Sequence, residues 1–219
     1  MTTFPNSPKV VKGGIVLVDP QSGQVQKVIS LQYNPDSLSR TLQPQGYGGE
    51  NADRGEALRF KGPAVETITL EAEIDAADQL EFPDQHENVV EHGVQPQIAA
   101  LEAMINPTSQ QLISNNILAN VGTLEIVPME SALALFIWSK NRIVPVRVSQ
   151  FTVTEEAFDT QLNPIRAKVN LGLRILSVDD LGFEHKGGSL FMNYLQNKEQ
   201  LASKATAASL SAFGIGGIP

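Results

Sequence analysis

Residues 67–74 read Thr-Ile-Thr-Leu-Glu-Ala-Glu-Ile. Ile68, Leu70, Ala72 and Ile74 alternate with Thr67, Thr69, Glu71 and Glu73. Side chains on a strand point to opposite faces in turn, so this stretch predicts a strand with one face on a core and one in water. Related patterns lie on both sides. Gly14–Val18 is a short apolar run ended by Asp19-Pro20, and Val25–Tyr33 reads as the strand returning from that turn, with Val28 and Leu31 among its apolar residues. After Asn34-Pro35, Leu38, Arg40 and Leu42 alternate with Ser39 and Thr41. Further strands are predicted at Leu124–Val127, Ala132–Ser139, Ile143–Thr154 and Ile165–Leu176. Trp138 falls within an apolar strand, where core or subunit contact is expected.

Two segments carry helical patterns. Pro96–Ile105 places Ile98, Leu101 and Ile105 on one face and stops at Asn106-Pro107. Residues 190–210 bring Leu190, Tyr194, Leu195 and Leu201 near helical spacing. Pro107–Asn120 fits neither pattern, and residues 43–57 form a polar, glycine-rich loop containing Glu50, Asp53 and Arg54. The fold class that follows is mainly β with packed helices (α+β), in three parts. These are a flexible arm at 1–13, a β domain at 14–182, and a helix with an apolar tail at 183–219.

Composition narrows the function. The 219 residues carry 16 Lys and Arg against 24 Asp and Glu, a formal net charge of −8. That balance argues against nonspecific binding to nucleic acid or anionic membrane, both of which require basic surface. Cysteine is absent, which removes disulfides, thiol nucleophiles and cysteine-ligated zinc. No apolar run approaches the ~18 residues of a membrane helix, and the N-terminus lacks an export signal, so cytoplasmic folding is expected.

Catalytic motifs do not emerge. There is no nucleophile elbow, phosphate-binding loop or paired-histidine zinc motif. His86 and His92, near Asp84, Glu87 and Glu91, lack compact ligand spacing and read as solvated surface. Glu155-Glu156 with Asp159, and Asp179-Asp180, read as turn charges at strand ends. No catalytic, cofactor or metal site is expected. Arg40 and Arg166 are different. Each follows an Asn-Pro turn on an apolar-patterned strand, where an arginine needs a carboxylate partner inside the subunit or on a neighbour.

LQYNPDSLSRTL, LRFKGPAVETITLEAEIDAADQL, GVQPQIAALEAMINP and VPVRVSQFTVTEEAFDTQLNPIRAKVNLGLRIL cover most of residues 14–182. Together they resemble the tube-like baseplate adaptor proteins of extracellular contractile injection systems, which are phage-tail-like particles. The resemblance implies a β-barrel or sandwich of antiparallel sheets with a packed helix. It implies six copies in a ring around a channel, joining the spike or hub to the inner tube, with the main inner-tube subunit as the alternative position. The implied partners are further copies of the chain, the hub, inner-tube proteins and baseplate wedge proteins, in a particle assembled in the cytoplasm and then released or membrane-anchored. Relatives often carry a LysM module after this part; only a helix and tail are expected here, so peptidoglycan binding is not. A particle-borne cell-wall hydrolase is the rival from another class. Tyr33, Asn34, Arg40, Glu50, Asp53, Arg54, Glu155, Glu156 and Arg166 are the candidates for subunit contact.

Overall fold

The computed structural model describes residues 10–46, 59–120, 131–206 and 208–218. The expected strand at Leu124–Val127 and the loop residues Glu50, Asp53 and Arg54 lie outside them. Seven strands form one antiparallel sheet in the order β2-β1-β5-β6-β7-β4-β3. They are β1 (Gly14–Val18), β2 (Val25–Ser30), β3 (Leu38–Gly46), β4 (Phe60–Asp75), β5 (Leu133–Ser139), β6 (Arg142–Phe158) and β7 (Pro164–Ile175). Helices α1 (Ala77–Leu80), α2 (Glu87–His92), α3 (Gln95–Glu102) and α4 (Ser109–Asn120) lie between β4 and β5, and α5 (Val178–Leu181) and α6 (Lys186–Ala202) follow β7. The mainly-β α+β fold read from the alternation at 67–74 is the fold observed.

The register puts that alternation at the centre. Ile68, Leu70, Ala72 and Ile74 stand opposite Leu173, Leu171, Val169 and Ala167, and all eight are buried in one core. The expected barrel or sandwich takes a different form, a single sheet whose edge strands β2 and β3 have no ladder between them among the described residues. It is nevertheless drawn round on itself. Just past β2, the Gln32 side chain donates to the Asp75 carbonyl at 2.7 Å and accepts from the Asp75 N–H at 3.0 Å, on the far side of the sheet. One side-chain amide thus does the work of a strand pair at that end.

Several boundaries move. β2 ends at Ser30 rather than Tyr33, and Val28 is exposed because nothing among the described residues covers that edge. β3 runs on through Gln43–Gly46, which the sequence pattern assigned to the loop; its Pro44 is tolerable on an edge strand, where its missing N–H breaks no ladder. Glu155 and Glu156 lie inside β6, which extends to Phe158, rather than beyond a strand end. In α3, Ile98 and Leu101 are buried but Ile105 is exposed. The tighter i→i+3 bonds Met104 N–H to Leu101 O and Ile105 N–H to Glu102 O rotate Ile105 off the core face. The ambiguous Pro107–Asn120 stretch contains α4.

The boundary expected at residue 182 does not coincide with a break in packing. The helix starts at Lys186 rather than 190, and its Phe191 and Tyr194 belong to the same core as the sheet. Leu190 joins a second cluster with Val18, Leu133 and Leu135, while Leu201 is exposed. Gly188 permits the close approach of α6 to the preceding turn, since a Cβ there would strike the Gly182 carbonyl.

Candidate interaction surfaces

Opposite the core, β4, β7 and β6 present a wall of polar side chains. Its rows across the three strands are Thr67, Arg174 and Arg147; Thr69, Gly172 and Gln150; Glu71, Asn170 and Thr152; Glu73, Lys168 and Thr154; and Asp75, Arg166 and Glu156. No apolar side chain interrupts these five rows. At ~3.3 Å per residue and ~4.8 Å between strands, the wall measures about 27 Å by 10 Å between backbone positions. Four carboxylates face four cations, so the wall is locally neutral although the chain is strongly acidic. Arg166 Nη2 meets Asp75 Oδ2 at 2.7 Å, and Lys168 Nζ lies 3.6 Å from Glu156 Oε1. Hydrogen bonding to Asp75 raises the Arg166 pKa further.

Arg40 faces the other way. It stands opposite Ile68 on the core side, with Glu66 two residues earlier on the same face of β4. Glu66 is only 4% exposed. It accepts from Arg40 Nε at 2.6 Å, Lys198 Nζ at 2.7 Å and the Tyr194 hydroxyl at 3.0 Å. Lys198 Nζ also lies 4.4 Å from the centre of the Tyr194 ring, a cation–π distance. Burial pushes the Glu66 carboxyl pKa up, but the hydrogen bonds and charges of Arg40 and Lys198 outweigh it and hold it below the usual glutamate range. Desolvation and the charge of Glu66 push the Tyr194 hydroxyl up. The cluster clasps α6 to β3 and β4.

The candidates from sequence therefore separate. Both arginines find carboxylates within the chain, Arg40 toward the core and Arg166 on the wall. Asn34 accepts from Gly13 N–H at 2.9 Å and donates to the Val11 carbonyl at 2.9 Å, so it ties down the end of the expected N-terminal arm. Tyr33 is 44% exposed and stands beside Gln32. Glu156 is on the wall, whereas Glu155, opposite Ala167, lies on the core side at the sheet's end. Trp138 packs on the core and stacks on Phe136 with ring centres 5.9 Å apart. Sequence reading missed Glu66. Extending the apolar phase of residues 68–74 back by two would have put a carboxylate on the core face, which needs cationic partners.

The turn between β6 and β7 is rigid and strained. Ala157 and Leu162 have φ of 52° and 65°, the positive-φ non-glycine residues among those described. Asp159 Oδ1 accepts from the Gln161 and Asn163 N–H groups at 2.8 Å each, and Oδ2 accepts from Asn163 Nδ2 at 2.9 Å. These bonds hold the Asp159 carboxyl below its usual pKa, the Asn163 side chain contributing most. Asn163 Nδ2 also donates to the Glu91 carbonyl at 3.0 Å, and Val94 N–H to the Pro164 carbonyl at 2.8 Å. Gly93, at φ 57°, lets the helices seat here, because a Cβ would strike Pro164 O.

No group of three or more metal-ligating side chains converges among the described residues. Among them too, no helix is long and apolar enough to cross a membrane. No family model matches the chain, and no curated protein matches it.

Proposed function

We propose that the chain is a non-enzymatic structural subunit of a contractile injection particle. In this reading six copies form a ring at the junction between the spike or hub and the inner tube. The polar wall of β4, β7 and β6 carries the reading. A sheet face this long without an apolar side chain suits a surface kept permanently against water, as the lining of a channel is. Its balanced charges give a passing cargo no strong electrostatic trap. The apolar core behind it and the clasped α6 make the wall stiff. Among the described residues no strand pairs with the outer edges of β2 and β3, so neighbours in a ring can satisfy their backbone groups, and closed symmetry stops the pairing from running on.

Quantitative mass spectrometry of particles from producing cells tests the position. A copy number matching one ring supports the junction. A number rising with tube length moves the chain to the main inner tube, and its absence from particles overturns the reading.

A further inference from the structure

We propose that the cavity between the start of α2 and the first turn of α3 is a binding site for a guanidinium group. It has a volume of about 500 Å³ and is lined by Asp84, His86, Glu87, Val89, Pro96 and Gln97, with two further amide side chains. That falls within the ~300–1,000 Å³ range of ligand sites. Its walls are fixed by the rest of the fold. Val94 N–H on the Pro164 carbonyl holds the turn into α3, and Asn163 Nδ2 on the Glu91 carbonyl holds α2.

The lining selects the ligand. Gln97 Oε1 is buried with no hydrogen-bond partner, one of two such side-chain atoms among the described residues. An acceptor that has given up water without a replacement is unfavourable, so a donor brought to it binds well. The Asp84 and Glu87 carboxylates also lack an ion-pair partner among the described residues. Charge on a larger scale has the same sign. Between Lys61 and Lys140 the sequence has twelve Asp and Glu and no Lys or Arg, so the field around the cavity attracts cations. The cations that β7 brings to this end, Arg166 and Lys168, are taken by Asp75 and Glu156.

Among cations, a guanidinium fits best. It presents five N–H donors to two carboxylates and an amide oxygen, and it sheds water more readily than an ammonium. An aliphatic stem behind it can lie on Val89 and Pro96. Free arginine and an arginine side chain projected by a partner protein carry the same group. The site is complete within one chain and stands whether or not copies form a ring.

Calorimetric titration of the full-length chain with N-acetyl-arginine amide at low ionic strength tests the site. Saturable one-to-one binding with a dissociation constant below about 1 mM is expected. Asp84→Asn combined with Glu87→Gln should weaken it by about tenfold or more. Gln97→Leu should weaken it without lowering the melting temperature, because the orphaned oxygen has no bond to lose. Asp179→Asn combined with Glu184→Gln removes the same charge outside the lining and should leave binding unchanged. Absence of saturation, or equal losses from the two double variants, overturns the site. N-acetyl-lysine amide should bind about tenfold more weakly; equal binding overturns the choice of guanidinium. L-arginine separates the sources. Binding tighter than that of the capped amide assigns the group to a small molecule, and binding no tighter assigns it to a protein side chain.

Discussion

Replacing Glu66 by glutamine removes one negative charge from a buried site and leaves Arg40 and Lys198 facing an amide. Breaking a fully buried ion pair costs ~3–5 kcal/mol. Here the Arg40 and Lys198 side chains are 28% and 31% exposed, so both can turn partly to water and the loss should be smaller. Three charge-assisted bonds at ~1.5–3 kcal/mol each are weakened together rather than additively, which brings the expected destabilisation to about 2–3 kcal/mol. For a domain of this size, at ~2–4 °C per kcal/mol, the melting temperature should fall by about 4–12 °C. Thermal and urea unfolding followed by circular dichroism at neutral pH measure it. The acid limb supplies a second signature. Because the folded-state pKa of Glu66 is lowered, its contribution is complete above the ordinary glutamate pKa and fades as pH falls through the lowered one. Glu66→Gln should flatten that part of the stability curve. A loss under ~0.5 kcal/mol, as for an ordinary surface change, would refute the clasp.

Tyr194→Phe should cost about 1 kcal/mol in the same assay, the worth of one net hydrogen bond. Since the Tyr194 pKa is raised in the fold, its contribution is intact below the ordinary tyrosine pKa and disappears as pH climbs through the raised one; the variant should lose that alkaline step. Gly93→Ala meets both the positive φ and the Pro164 carbonyl, so a destabilisation of at least ~1–3 kcal/mol is expected in urea unfolding. Asp159→Ala should speed hydrogen exchange at the Gln161 and Asn163 amides, which it now holds, while leaving the β6–β7 ladder protected.

Alternation at 67–74 was enough to reveal the sheet and its core face, because burial on one side imposes a period of two. The faces of β6 were harder to assign, because a register shift between Val148 and Gln150 changes which of its residues share a face. The pattern around Arg40 and Arg166 demands carboxylate partners, but alternation cannot say which acid lies across a sheet. The partners Glu66 and Asp75 depend on non-local register. α4 escaped notice because Leu112, Ile113 and Ile117 form no buried stripe and remain exposed. The strained turn was visible only as Asn163-Pro164, since neither Ala157 nor Leu162 adopts positive φ by its own preference.

The direction in which the polar wall faces in the assembled particle decides between a channel lining and any other role. A reconstruction by electron cryo-microscopy that resolves side chains measures this directly. It should place six copies around the axis with Thr69, Asn170 and Thr152 lining the open channel. The same wall turned outward, or buried between subunits, would contradict it.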